Sequence, residues 1–148
     1  MFVSKTSLSL RKPSTLLAGG LIALFCCSCG NNNRKPVFPV RGQVSFSGQF
    51  LPGALVVFHP LDEADKEAVR PQAHIGPDGT FTLTTYESGD GAPAGDYRVT
   101  VELWLADVNG DAGPTSRLPA RYAKPNSSGL TATVNAGPNE LQPFVLNP

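Results

Sequence analysis

Residues 95–105, GDYRVTVELWL, alternate apolar and polar side chains with a period of two. Tyr97, Val99, Val101, Leu103 and Leu105 fall on one side of an extended chain; Arg98, Thr100, Glu102 and Trp104 fall on the other. That period belongs to a half-buried β-strand, and no helical repeat reproduces it. A strand so apolar on one face needs a second layer to cover it, so the chain has to be built from packed sheets.

The same grammar recurs along the chain. In residues 40–46, Val40, Val44 and Phe46 point one way and Arg41, Gln43 and Ser45 the other. Residues 54–60, ALVVFHP, are apolar on both faces, which predicts a more central strand. After a charged excursion, PLDEADKEAVRP, with at most one helical turn near Asp62, residues 72–86 read as strand, turn and strand. Pro77-Asp78-Gly79 supplies the turn, because Pro sets φ and Gly accepts a positive one. Residues 130–137 and 141–147 add two short strands around Pro138-Asn139. Fifteen glycines and fourteen prolines suit strands and turns better than long helices. The expectation is an all-β fold, a single seven-stranded antiparallel β-sandwich, with enough chain for one core.

All three cysteines, Cys26, Cys27 and Cys29, lie ahead of that body. They follow a basic segment with Lys5, Arg11 and Lys12, then an apolar run from about Thr15 to Phe25. The run is short of the roughly 20 residues that span a bilayer, and the order is that of an export signal. Ser28 precedes Cys29 and a polar tether, GNNNRKP, follows it. The arrangement resembles a bacterial lipoprotein signal, in which a cysteine becomes the acylated first residue of the mature chain. Cys29 is the preferred lipidation site although Cys26 takes the usual aliphatic position; Cys27, with Leu24 three residues before it, is the alternative. A redox or metal role for the Cys26-x-x-Cys29 pair lacks a βαβ context and a second ligand pair, and Gly30 stands where a haem motif needs His. The expected organisation is a signal peptide at 1–28, a lipidated cysteine and flexible tether at 29–39, and the β-domain at 40–148.

No acidic residue occurs before Asp62, so the part beyond the leader is mildly acidic although the whole chain is neutral. Basic residues form no stripe interleaved with aromatics, which argues against nucleic acid as a partner.

Four motifs occur in order: Gly42 and Val44; Asp78-Gly79 with Phe81; Gly89-Asp90-Gly91 with Pro93, Gly95 and Tyr97; and Ser128-Gly129-Leu130 through Asn139. Together they resemble the carboxypeptidase regulatory-like, transthyretin-like sandwich, and within it small lipoproteins of planctomycete bacteria. The resemblance spans residues 40–147, apart from 106–120. It implies a membrane-anchored cell-envelope module with a structural or protein-interaction role, no enzymatic chemistry and no cofactor. The glycine motifs themselves read as tight turns.

Four further features carry possible chemistry. His59 and His74 stand on neighbouring strands and would need a third ligand to hold a metal. Serines are frequent, but none occupies a G-x-S-x-G elbow, and the chain end FVLNP lacks the Y-R-G-S of the transthyretin-like hydrolases. Asp107, Asn109 and Asp111 alternate like the first ligands of a calcium loop, yet Ala112 stands at the glycine position and Leu118 where a glutamate should close it. A polar turn at Asn109-Gly110 is the preferred reading. Trp104 lies on the polar face of its strand, where it either stacks on a glycan or peptide partner or is covered by the loop that follows.

Overall fold

The computed structural model describes residues 34–62, 65, 68–105 and 115–148. The all-β expectation holds: among these residues there is no α-helix, and none long and apolar enough to cross a membrane. Thirteen short strands form the body: β1 (Val37–Phe38), β2 (Val40–Phe46), β3 (Gln49–Phe50), β4 (Leu55–Pro60), β5 (Gln72–His74), β6 (Thr80–Thr82), β7 (Ala92–Pro93), β8 (Gly95–Glu102), β9 (Trp104–Leu105), β10 (Thr115–Ser116), β11 (Leu130–Val134), β12 (Asn139–Glu140) and β13 (Phe144–Leu146). One 3₁₀ turn, η1, covers Ala120–Ala123.

One sheet runs β11-β8-β4-β5, every neighbour antiparallel. The second is organised on β2, flanked on one side by β6 and β3 and on the other by β12 and β13. Here the antiparallel expectation fails, because β12 and β13 both pair with β2 in parallel. The turn after β11 delivers the chain to the other sheet already heading along β2. Seven strands become thirteen among the described residues because β3 and β12 add short partners to β2, while β1 with β7 and β9 with β10 form two further two-stranded pairs. Pro143, between β12 and β13, has no N–H to continue the ladder. The body also starts earlier than the periodicity places it, since Val37 and Phe38 pair with Pro93 and Ala92.

Alternation decides which side chains meet. Val56 and Phe58 on β4 and Val99 and Val101 on β8 are fully buried, and with Val40 and Val44 of β2 they belong to one apolar cluster. Phe58 stands at its centre, with ring centroids 5.6 Å from Tyr97, 6.2 Å from Phe81 and 6.4 Å from Phe144. Gly42 makes this possible: a Cβ there would stand 2.6 Å from the Phe81 ring. At one end η1 buries Tyr122, whose hydroxyl accepts the Asn147 N–H at 2.8 Å and so pins the chain after β13. No cysteine lies beyond residue 29, so this core holds without a disulfide.

Candidate functional site

The first residues of the body are clamped to a loop with no regular structure of its own. Asp90 organises residues 84–91: its carboxylate accepts the N–H groups of Thr85 at 2.7 Å, Tyr86 at 2.9 Å and Glu87 at 2.9 Å. Desolvation raises the Asp90 pKa, but these bonds outweigh it and hold the pKa below the ordinary aspartate value. Gly91, with φ +98°, lets this loop touch the chain start, because a Cβ there would sit 1.8 Å from the Phe38 carbonyl oxygen. The Gly89-Asp90-Gly91 motif is therefore spent on architecture. The loop in turn receives the incoming chain. The Arg34 guanidinium lies 5.1 Å from the centre of the Tyr86 ring, and the Lys35 N–H donates to the Tyr86 hydroxyl at 3.1 Å. The Lys35 ammonium pairs with the Asp65 carboxylate.

A second feature is built on the outward face of the β4–β8 pair. His59 and Arg98 are cross-strand partners there, which places their Cβ atoms roughly 5 Å apart. The His59 Nε2 lies 2.9 Å from the Thr100 hydroxyl, and Thr100 is buried although it points away from the main core. Burial first, and then the charge of Arg70, lower the His59 pKa, with Glu102 opposing them. The neutral imidazole is therefore favoured over the charged one. His59 and Arg98 form the floor of a cleft of about 420 Å³, walled by Asp62, Asp65 and Arg70 and by Pro125 and Asn126. Arg98 is half-buried, yet among the described residues neither its guanidinium nor that of Arg70 has a hydrogen-bond or ion-pair partner. A third feature is a more apolar groove of about 460 Å³, where Leu130 and Ala132 of β11 face Phe144 and Val145 of β13.

No protein-family model matches this chain, and neither does any curated protein. Among solved structures, a DUF3823 family protein from Parabacteroides merdae is similar at 17% identity and a TM-score of 0.40. That match covers 74% of this chain and 45% of the other, so the chain spans less than half of that protein's length.

Trp104, singled out from the sequence, is 54% exposed, and its Nε1–H donates to the Glu102 carboxylate at 2.7 Å. The ring is therefore presented to solvent among the described residues, with its edge pinned, and residues 106–114 of the loop that follows lie outside them. His59 and His74 do not meet. His74 pairs with Leu55, and His59 lies four residues further along β4, roughly 13 Å away at about 3.3 Å per residue. His74 turns to the Gly53 carbonyl, 3.4 Å from its Nδ1. Among the described residues no group of three or more potential ligands is placed to hold a metal ion. Cys27, Cys29, Asp107, Asn109 and Asp111 lie outside the described residues. Arg70, Arg98, Thr100 and Asn126 had not stood out in the sequence. The outward position of Arg98 was legible in the alternation of β8, but the approach of Asp62, Asp65, Arg70 and residues 125–126 to it was not.

Proposed function

We propose that this chain is a non-enzymatic lipoprotein of the cell envelope. Its body would be a transthyretin-like, carboxypeptidase regulatory-like β-sandwich with a structural or protein-interaction role, held to the membrane through an acylated Cys29. The observation that carries this reading is the shortness of the junction. Only residues 30–33 separate Cys29 from Arg34, which is already fastened over Tyr86. Five extended residue steps reach about 17 Å. A lipid on Cys29 would hold the body close against the bilayer, and two or more acyl chains suffice for stable attachment, at about 0.8 kcal/mol per buried methylene. The aromatic cluster around Phe58, drawn from both sheets, supports the sandwich. The role assigns no catalytic residue, metal or cofactor.

Replacing Cys29 by Ser is expected to move the protein from the membrane fraction to the soluble one and to abolish labelling by palmitate. A variant that still pellets and still takes up label would shift the site to Cys27. Wild-type protein with an unmodified mass, free in the medium, would remove the anchor altogether. A second reading rests on the exposure of Trp104: a glycan- or peptide-binding module that stacks its ligand on the indole. Selective binding on a glycan or peptide array, lost in Trp104→Ala, would establish it; uniform background on both arrays would end it.

A further inference from the structure

The outward cleft on the β4–β8 pair leaves a cation with solvent as its partner. It holds a half-buried cation, Arg98, and that cation lacks a partner among the described residues. Desolvating a charge is costly unless hydrogen bonds or a counter-charge compensate it. Three other charged groups of this domain have such partners: Asp90 is satisfied by three backbone N–H groups, Lys35 by Asp65, and Arg121 by the carbonyls of Asn147 and Pro148. No side-chain nitrogen is sealed from solvent and unbonded, so the guanidinium of Arg98 stays within reach of a molecule from outside.

From this we infer that the cleft is a binding site for a phosphate group, seated over the His59–Arg98 floor. The donors come from separate elements: Arg98 and His59 from the sheet, Arg70 from the wall before β5, and Asn126 from the segment after η1. A carboxylate presents its acceptors in one plane, whereas a tetrahedral phosphate offers oxygens toward floor and both walls, and guanidinium forks bind it in bidentate fashion. Burial and the charge of Arg70 disfavour the charged form of His59 in the empty cleft, and a bound phosphate would oppose them. Asp62 and Asp65 share the cleft, and Asp65 is bound to Lys35. Net charge therefore does not drive the binding; hydrogen bonds from the two arginines do. A free phosphate ester and a lipid headgroup share this chemistry, and the site is independent of whether Cys29 is acylated.

The test is calorimetric titration of the full chain with inorganic phosphate, glycerophosphoethanolamine and acetate. Saturable phosphate binding is expected, weakened about tenfold or more in Arg98→Gln and in Arg70→Gln, because each substitution removes charge-assisted hydrogen bonds. Both variants should keep the wild-type circular-dichroism spectrum and melting temperature, since neither side chain holds another described residue. Binding of inorganic phosphate alone would assign the site to soluble phosphate esters, and binding of glycerophosphoethanolamine as well would extend it to lipid headgroups. No saturable binding, undiminished wild-type affinity in both variants, or binding of acetate without phosphate would overturn the assignment.

Discussion

The two faces of the β4–β8 pair share a backbone and differ in almost everything else. Inward, Val56, Phe58, Tyr97, Val99 and Val101 are all buried in one apolar cluster. Outward, one residue away in each case, stand His59, Arg98, Thr100 and Glu102. The inward face is saturated: each side chain is in contact and nothing more can be added. The outward face is partly covered and partly unpaired. Thr100 is sealed against His59, while Arg98 lies half-buried beside them without a described partner. One strand can thus commit one set of residues to the fold and leave the alternate set for recognition, because period two separates them completely.

Adjacent positions on β8 give the sharpest way to break this contrast. Val99→Asp places an unpaired carboxylate in the cluster and should cost several kcal/mol, enough to abolish the cooperative thermal transition. An unchanged melting curve would put Val99 at the surface and erase the distinction between faces. Phe58→Ala removes the ring that touches Tyr97, Phe81 and Phe144 and should cost about 3–5 kcal/mol by denaturant unfolding.

A smaller effect is expected where a charge serves the fold. Asp90→Asn leaves backbone N–H groups poorly paired, at a cost of about 1–3 kcal/mol. Because the folded-state pKa of Asp90 is lowered, its contribution is complete above the unfolded-state pKa of about 3.9 and is lost as pH falls through the folded value. Acid titrations of wild type and Asp90→Asn should therefore converge at low pH. Parallel curves would show that the carboxylate contributes nothing through its charge.

Tyr97 works at the other end of the scale. Burial, with Tyr86 adding to it, raises its pKa to about 12, and its hydroxyl donates to the Pro93 carbonyl at 2.7 Å. The neutral form is the one the fold prefers, so its contribution is full below the unfolded-state pKa of about 10 and fades as pH rises toward 12. Tyr97→Phe should cost about 1 kcal/mol at neutral pH and flatten the alkaline limb of the stability profile. The smallest effect belongs to Arg98→Gln, expected within about 0.5 kcal/mol of wild type in denaturant unfolding. A large loss there would make Arg98 a structural residue and close the difference between the two faces.

Several of these features are legible in the amino-acid order alone. The inward set of β8 follows from alternation alone, as do Val40 and Val44, whereas residues 54–60 are apolar on both faces and alternation does not choose Val56 and Phe58 over Leu55 and Val57. The turn at Pro77-Asp78-Gly79 follows from residue chemistry, and so does the structural use of Gly89-Asp90-Gly91. Pairing direction was not legible. Whether residues 139–146 run with or against β2 depends on how the chain crosses between sheets, and side-chain period is identical in both cases. The entry of Val37 and Phe38 into a strand was hidden for a similar reason: two residues carry no periodicity, and their pairing depends on a glycine fifty-odd residues later that leaves room for the backbone.

By itself, then, the amino-acid order determined that this chain is all-β, which side chains of β2 and β8 turn inward, and that its core must hold without disulfide bonds. These are local consequences of a two-residue repeat and of where cysteine occurs. Tertiary structure alone decided the parallel partners of β2, the clamp of Arg34 and Lys35 on the Asp90 loop, and the gathering of His59, Arg70, Arg98 and Asn126 into one cleft. Those outcomes depend on which distant segments arrive beside one another, and an outward-facing residue carries no mark of its future neighbours.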